Sequence, residues 1–217
     1  MTNVRKEKKM QVQLEMLPPL DTITKTNFKC KKCGKCCRKR YNQLVLTPMD
    51  VFVISRYLGI TREKFLQTKT MKVIGKGLPE ITLKTYGKEQ ECCFFNKKNG
   101  CEIHEVSPFQ CYTYPIIPFD EERGLCVQQP VHSYCGEEGD MKPVEEWLNE
   151  SSSRYKNEKE LRILWLDSLD KIDELCERLS IKWKERIFTE LFLGLEDMTV
   201  EALQTSIKKV LFYAPSL

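Results

Sequence analysis

Histidine is scarce: His104 and His132 are the only two in 217 residues. Two imidazoles leave little side-chain chemistry that changes charge near neutral pH, which argues against an enzyme built on histidine acid–base steps. The chain also lacks a Ser/His/Asp set, a glycine fingerprint following a strand, and the C-x3-C-x2-C loop of radical enzymes. No apolar run is long enough to cross a bilayer. The start, Met1-Thr2-Asn3-Val4-Arg5-Lys6-Glu7-Lys8-Lys9-Met10, is charged where a secretory signal carries its apolar region. These absences lead to the expectation of a cytoplasmic protein in reducing surroundings, with no membrane partner.

Cysteine is what the chain has in excess: 11 residues. In a reducing compartment, clustered thiols point to metal rather than to disulfides. Four lie in one short stretch, Phe28-Lys29-Cys30-Lys31-Lys32-Cys33-Gly34-Lys35-Cys36-Cys37-Arg38-Lys39-Arg40. Thiolate is the soft ligand that zinc and iron–sulfur clusters prefer, and a two-residue gap lets neighbouring cysteines share an ion. Gly34 can take the left-handed conformation that a tight turn between ligands demands. The side chains of adjacent Cys36 and Cys37 diverge, so one serves the first site while the other reaches a second site or a more distant shell.

From Lys29 to Arg40, every residue that is neither cysteine nor glycine is basic, seven of twelve. A nucleic-acid patch has this look. A thiolate site explains it as well, because nearby Lys and Arg favour the ionised sulfur. The basic run coincides with the thiols and lacks interleaved aromatics, so charge compensation is favoured over nucleic acid.

The net charge is a mild +4, and 41% hydrophobic content allows a real core in one or two domains. Residues 1–27 read as a charged arm. Within it Pro18-Pro19 forbids a helix, and the alternation from Gln11 to Met16 permits a short strand. Residues 28–140 read as a cysteine-cluster metal-binding domain. Tyr41 to Leu46 can be extended, and Thr47-Pro48-Met49-Asp50 starts a helix: Thr47 caps, Pro48 suits the first position, and Asp50 sits in the positive first turn. Val51, Ile54, Tyr57 and Leu58 keep helical spacing until Gly59, and Thr61 caps a second short helix. Ile81, Leu83 and Tyr86 alternate among glycines, as in short strands or a hairpin.

A second set of thiols follows at Cys92, Cys93, Cys101, Cys111, Cys126 and Cys135. Asn99-Gly100 and the prolines 108, 115 and 118 place them on loops. Four or more cysteines opposite an upstream C-x2-C-x2-C-C form a strong metal pattern. His104 reads as a structural histidine near that site and His132 as a weaker case, because the cysteines already suffice as ligands.

These residues resemble the YkgJ-type cysteine-cluster proteins, whose CxxCxxCC domain chelates zinc or iron. The likeness runs over roughly residues 28–136. It rests on Phe28-x-Cys30-x-x-Cys33-Gly34-x-Cys36-Cys37, on Leu46-Thr47-Pro48-x-Asp50 with Leu58-Gly59-Ile60 and Phe65, and on Cys92-Cys93-Phe94-Phe95, Cys101-x-Ile103, Pro108-x-x-Cys111, Tyr114-Pro115 and Cys135-Gly136. The resemblance implies a ligand set of Cys30, Cys33, Cys36, Cys37, Cys92, Cys101, Cys111 and Cys135, holding zinc or an iron–sulfur cluster. Cys93 stands where the family usually has proline and is a spare thiol beside the site. Ser107 and Tyr112 stand where members often carry arginine, so no role of those arginines carries over.

Residues 141–217 form a helical tail. Leu161, Leu164, Trp165, Leu169, Ile172, Leu175, Cys176 and Leu179 share one broad face, and within that stripe Cys176 is buried as a small apolar residue. Ser151-Ser152-Ser153 loosens the start of this helix. A second helix carries Trp183 to Phe192 and ends near Gly194, and a third runs from about Thr199. The whole is an α+β chain, mainly helical and irregular: a small loop-rich metal domain followed by a helical hairpin or bundle that packs on it or meets a protein partner. Two function classes remain. One is a metal-binding module. The other, an S-adenosylmethionine-dependent protein lysine methyltransferase-like or redox enzyme, is implied only by the resemblance, since flagellin lysine N-methylases contain a similar cysteine domain. The ligand thiols are expected to converge, with Cys126 at the margin and Cys176 well away.

Overall fold

Thr47, Pro48 and Asp50 set the first long element. The Thr47 hydroxyl accepts from the Asp50 N–H at 3.2 Å, while the Asp50 carboxylate accepts from the Thr47 N–H at 3.0 Å. This reciprocal box opens α1, Pro48–Tyr57, and Gly59 at φ 63° turns the chain out of it. Thr61 caps α2, Arg62–Lys69, in the same way through the Lys64 N–H. The computed structural model describes residues 22–38, 44–120, 125–128 and 136–213. The strand reading for Gln11–Met16 and the first part of the extended reading at Tyr41–Leu46 lie outside them.

The described strands form one three-stranded and four two-stranded sheets. β1 (Thr22–Ile23) and β2 (Lys25–Lys29) lie next to the thiol loop. β3 (Thr70–Val73) and β4 (Glu80–Leu83) make the hairpin expected in this region, joined by a bridge from Val45 to Thr82. β5 (Thr85–Tyr86) pairs with β6 (Glu91–Cys92), and β7 (Phe95–Asn96) with β8 (Gly100–Cys101). α3, Phe109–Tyr112, is a single turn. After it come β9 (Ile116–Asp120), β10 (Leu125–Gln128) and β11 (Glu137–Pro143). β10 sits between β1 and β9, and β11 runs antiparallel to β2 with a bulge between Glu138 and Lys142.

The remaining elements are helical: α4 (Val144–Ser151), α5 (Ser153–Asn157), α6 (Lys159–Glu177), α7 (Ile181–Phe192) and α8 (Val200–Tyr213). The break expected in the serine run falls at Ser152, whose extended backbone ends α4 and whose hydroxyl accepts from the Arg154 N–H to start α5. A loop-rich, short-stranded first part followed by a helical second part is the architecture expected from the sequence.

Two core clusters position the site. The larger joins Leu46, Val51, Ile54, Phe65, Ile81 and Phe94 from the first part to Trp165, Ile172, Leu191 and Leu203 of the tail helices. The smaller gathers Phe28, Tyr112, Ile116, Cys126, Trp147 and Leu148. Here the Trp147 indole N–H donates to the Phe28 carbonyl at 2.6 Å, fastening α4 to the strand that leads into the thiol loop.

Candidate metal centre

The chain turns sharply after Cys33. Gly34 is left-handed at φ 70°, and a Cβ there would stand 2.0 Å from Cε2 of Phe95, so a side chain is excluded both by conformation and by space. A short 3₁₀ turn, Lys35–Cys37, follows and carries the adjacent pair. The Cys36 and Cys37 sulfurs lie 4.0 Å apart. Cys92 ends β6 and Cys101 ends β8, while Cys111 rides on α3.

Residues from all these segments line one cavity of about 940 Å³. Its wall includes Cys30, Cys33, Cys36, Cys37, Cys92, Cys101 and Cys111. The eighth residue of the expected set, Cys135, lies outside the described residues, as does His132. Cys93, Cys126 and Cys176 do not line the cavity. Cys93 is half-buried, with its thiol 3.6 Å from the Lys69 carbonyl. Cys126 is buried in the smaller core cluster, and Cys176 is fully enclosed among the tail helices. Burial pushes the Cys176 thiol up to about 11, as expected for a thiol that behaves as an apolar group.

The electrostatics of the lining thiols are those of crowded sulfur. Contact with the Cys101 and Cys36 thiols, together with burial, pushes Cys37 far above the ordinary thiol range, and the same Cys37 contact holds Cys101 below it. The Cys37–Cys101 contact brings the N-terminal loop and the β8 turn together. Burial also raises Cys30, against a backbone N–H that Lys32 donates to its sulfur at 3.4 Å. Lys29 pairs with Glu137 at 2.9 Å. Arg38 lies 3.6 Å from Glu91 and stacks over Phe95.

Chemically, this donor set fits a metal. Several crowded thiols cannot all ionise side by side, and a divalent cation supplies the charge that lets them do so. The Lys32 N–H aimed at the Cys30 sulfur favours the thiolate form there. Among the described residues, no three Cys, His, Asp or Glu side chains stand close enough to hold an ion as they are placed.

Several residues around the cavity gave no signal in the sequence. Trp147 lines it beside Phe28, Tyr112 and Tyr114. Arg154 and Arg162, from α5 and α6, reach the two positions where the resemblance implied arginines. Arg154 donates to the Ser107 carbonyl at 2.7 Å and Arg162 to the Tyr112 hydroxyl at 3.4 Å. Their distance along the chain from the thiols hid them.

Among known proteins, a family model matches residues 29–136; it is the CxxCxxCC family, described as "Putative zinc- or iron-chelating domain". Neither the curated proteins nor the solved structures give a significant match. The matched segment covers every thiol that lines the cavity, and through residues 29–136 the chain belongs to the CxxCxxCC family of zinc- or iron-chelating domains.

Proposed function

We propose that the chain is a metal-binding protein whose centre is built from Cys30, Cys33, Cys36, Cys37, Cys92, Cys101, Cys111 and Cys135. The observation that carries this reading is the convergence of seven of these thiols, from four separate stretches of chain, on one cavity wall. The basic residues between them offset the negative charge of a thiolate site, and the helical tail supplies the packing behind it.

Zinc would act there as a structural cross-link, and an iron–sulfur cluster would add a one-electron centre. The chain's own part is to hold the thiols, exclude bulk water with Phe28, Tyr112 and Trp147, and direct the Lys32 N–H at the Cys30 sulfur.

Anaerobic purification followed by metal analysis and a visible spectrum tests this directly. Iron with acid-labile sulfide and a brown colour identifies a cluster; stoichiometric zinc in a colourless protein identifies zinc sites. Cys→Ser changes at the eight positions are each expected to lower metal content, because a neutral hydroxyl replaces a soft thiolate. Cys176→Ser should leave it unchanged. Metal content insensitive to all eight changes would rule the reading out.

A further inference from the structure

Two turns in the cavity wall carry donor-type residues at the same spacing. In Cys30-Lys31-Lys32-Cys33 the Lys32 N–H donates to the Cys30 sulfur. Cys101-Glu102-Ile103-His104 repeats that two-residue gap with a histidine at its end. In each turn the thiol and the residue three positions on line the same cavity: Cys30 and Cys33 in one, Cys101 and His104 in the other. The turns are also neighbours. Gly100, just before Cys101, is left-handed at φ 79°, and a Cβ on it would stand 3.3 Å from the Lys32 carbonyl.

We propose that His104 is a nitrogen donor to the centre, occupying in its C-x2-H turn the place that Cys33 holds in its own. The inference rests on the metal-binding reading above and deepens it, from an all-sulfur set to a mixed sulfur–nitrogen one. C-x2-H is ligand spacing in its own right, since two residues between donors let both reach one ion. Ile103 is 1% exposed and anchors the turn in the larger core cluster, so the imidazole is carried on a fixed support. His104 itself is half-buried, and its imidazole makes no hydrogen bond to a described residue. Its ring nitrogens keep access to the cavity space, so the imidazole is not committed elsewhere in the fold. The two turns differ in backbone hand: Lys32 is left-handed at φ 52°, whereas Ile103 has φ −114°. Their likeness therefore lies in the spacing and placement of the donor residues.

The test uses the full chain, purified anaerobically without a histidine tag, and X-ray absorption at the edge of the bound metal. Imidazole adds a nitrogen shell, about 2.0–2.1 Å for zinc against 2.3 Å for sulfur, with outer-shell ring scattering. With only two histidines in the chain, the assignment is clean. The imidazole signal should be present in the wild type and in His132→Ala and lost in His104→Ala, together with part of the metal. His104→Cys should recover metal content with a sulfur-only shell, and this variant decides the matter should His104→Ala fail to fold. A sulfur-only shell in the wild type overturns the proposal while leaving the metal centre intact. So does an imidazole signal that survives His104→Ala and disappears in His132→Ala. A wild-type chain with no bound metal overturns the metal-binding reading and the role of His104 with it.

Discussion

Asp50 shows how much one residue can do beyond what its neighbours in sequence reveal. One carboxylate oxygen closes the capping box, accepting from the Thr47 N–H and hydroxyl. The other accepts from the Phe109 N–H and from the Arg154 guanidinium, each at 3.1 Å. The Thr47 cap and the place of Asp50 in the first turn were legible because they lie within three residues of each other. The second half was not, because its partners are 59 and 104 residues away. Arg154 also holds Glu158 through two hydrogen bonds, at 2.6 and 2.8 Å, and donates to the Val106 and Ser107 carbonyls, just ahead of the helical turn that carries Cys111. All three charged residues are buried, Asp50 at 1% exposure. Arg154→Ala would leave two buried carboxylates without their cation, and breaking a buried pair from one side costs about 3–5 kcal/mol. A fall of that size is expected in the unfolding free energy, read as a lower urea midpoint with the slope unchanged. A loss under about 1 kcal/mol would mean that the network contributes little.

At the scale of elements, what the sequence revealed follows from how local each signal is. α1 and α2 were readable to their caps because capping uses side chains within one turn. The three long tail helices were readable from their apolar faces. The strands at residues 22–29 were not: β2 pairs with Glu137–Pro143, a charged segment with glycine and proline and no alternation of its own. Only Thr26 and Phe28 of β2 turn inward. Such pairing is fixed by contacts more than a hundred residues apart, which no window of sequence records. The thiol-bearing elements are the short ones: single turns and two-residue strands resting against the cores. Metal binding in small thiolate sites is worth about 10–16 kcal/mol, comparable to the stability of a whole domain. Removing the metal with a chelator should therefore speed hydrogen exchange in residues 28–38, 91–101 and 104–112. α1 and α6–α8, anchored in the larger cluster, should lose much less protection than the thiol segments. Unchanged exchange in the thiol segments would show that the metal does not hold them.

Across the whole molecule, the division into an arm, a cysteine domain and a helical tail remains a proposal about how composition is organised, and packing runs across it. Ile54, Phe65 and Phe94 share one cluster with Trp165, Leu191 and Leu203, and Cys92, Cys101 and Cys111 lie against the same cluster. The β3–β4 loop, whose Leu78 belongs to the cluster, is tied in as well: the Leu78 N–H donates to Asp173 of α6 at 2.8 Å, and the Lys184 ammonium of α7 donates to the Gly75 and Lys76 carbonyls. The thiols therefore sit on the outer side of a core whose inner side is the tail. In such an arrangement a ligand that binds only the folded chain stabilises the tail too, although the tail touches no metal. By mass action, free metal at a hundred times the dissociation constant adds about 2.7 kcal/mol, which for a chain of this size is a rise of roughly 5–10 °C in the melting midpoint. Circular dichroism at 222 nm reports mainly the helices, so this midpoint should rise with free metal and fall with chelator. Leu191→Ala, a fully buried site expected to cost about 2–5 kcal/mol, should lower the midpoint while keeping the same metal-dependent shift. A helical transition whose midpoint ignores metal would mean that the tail folds independently of the centre it packs against.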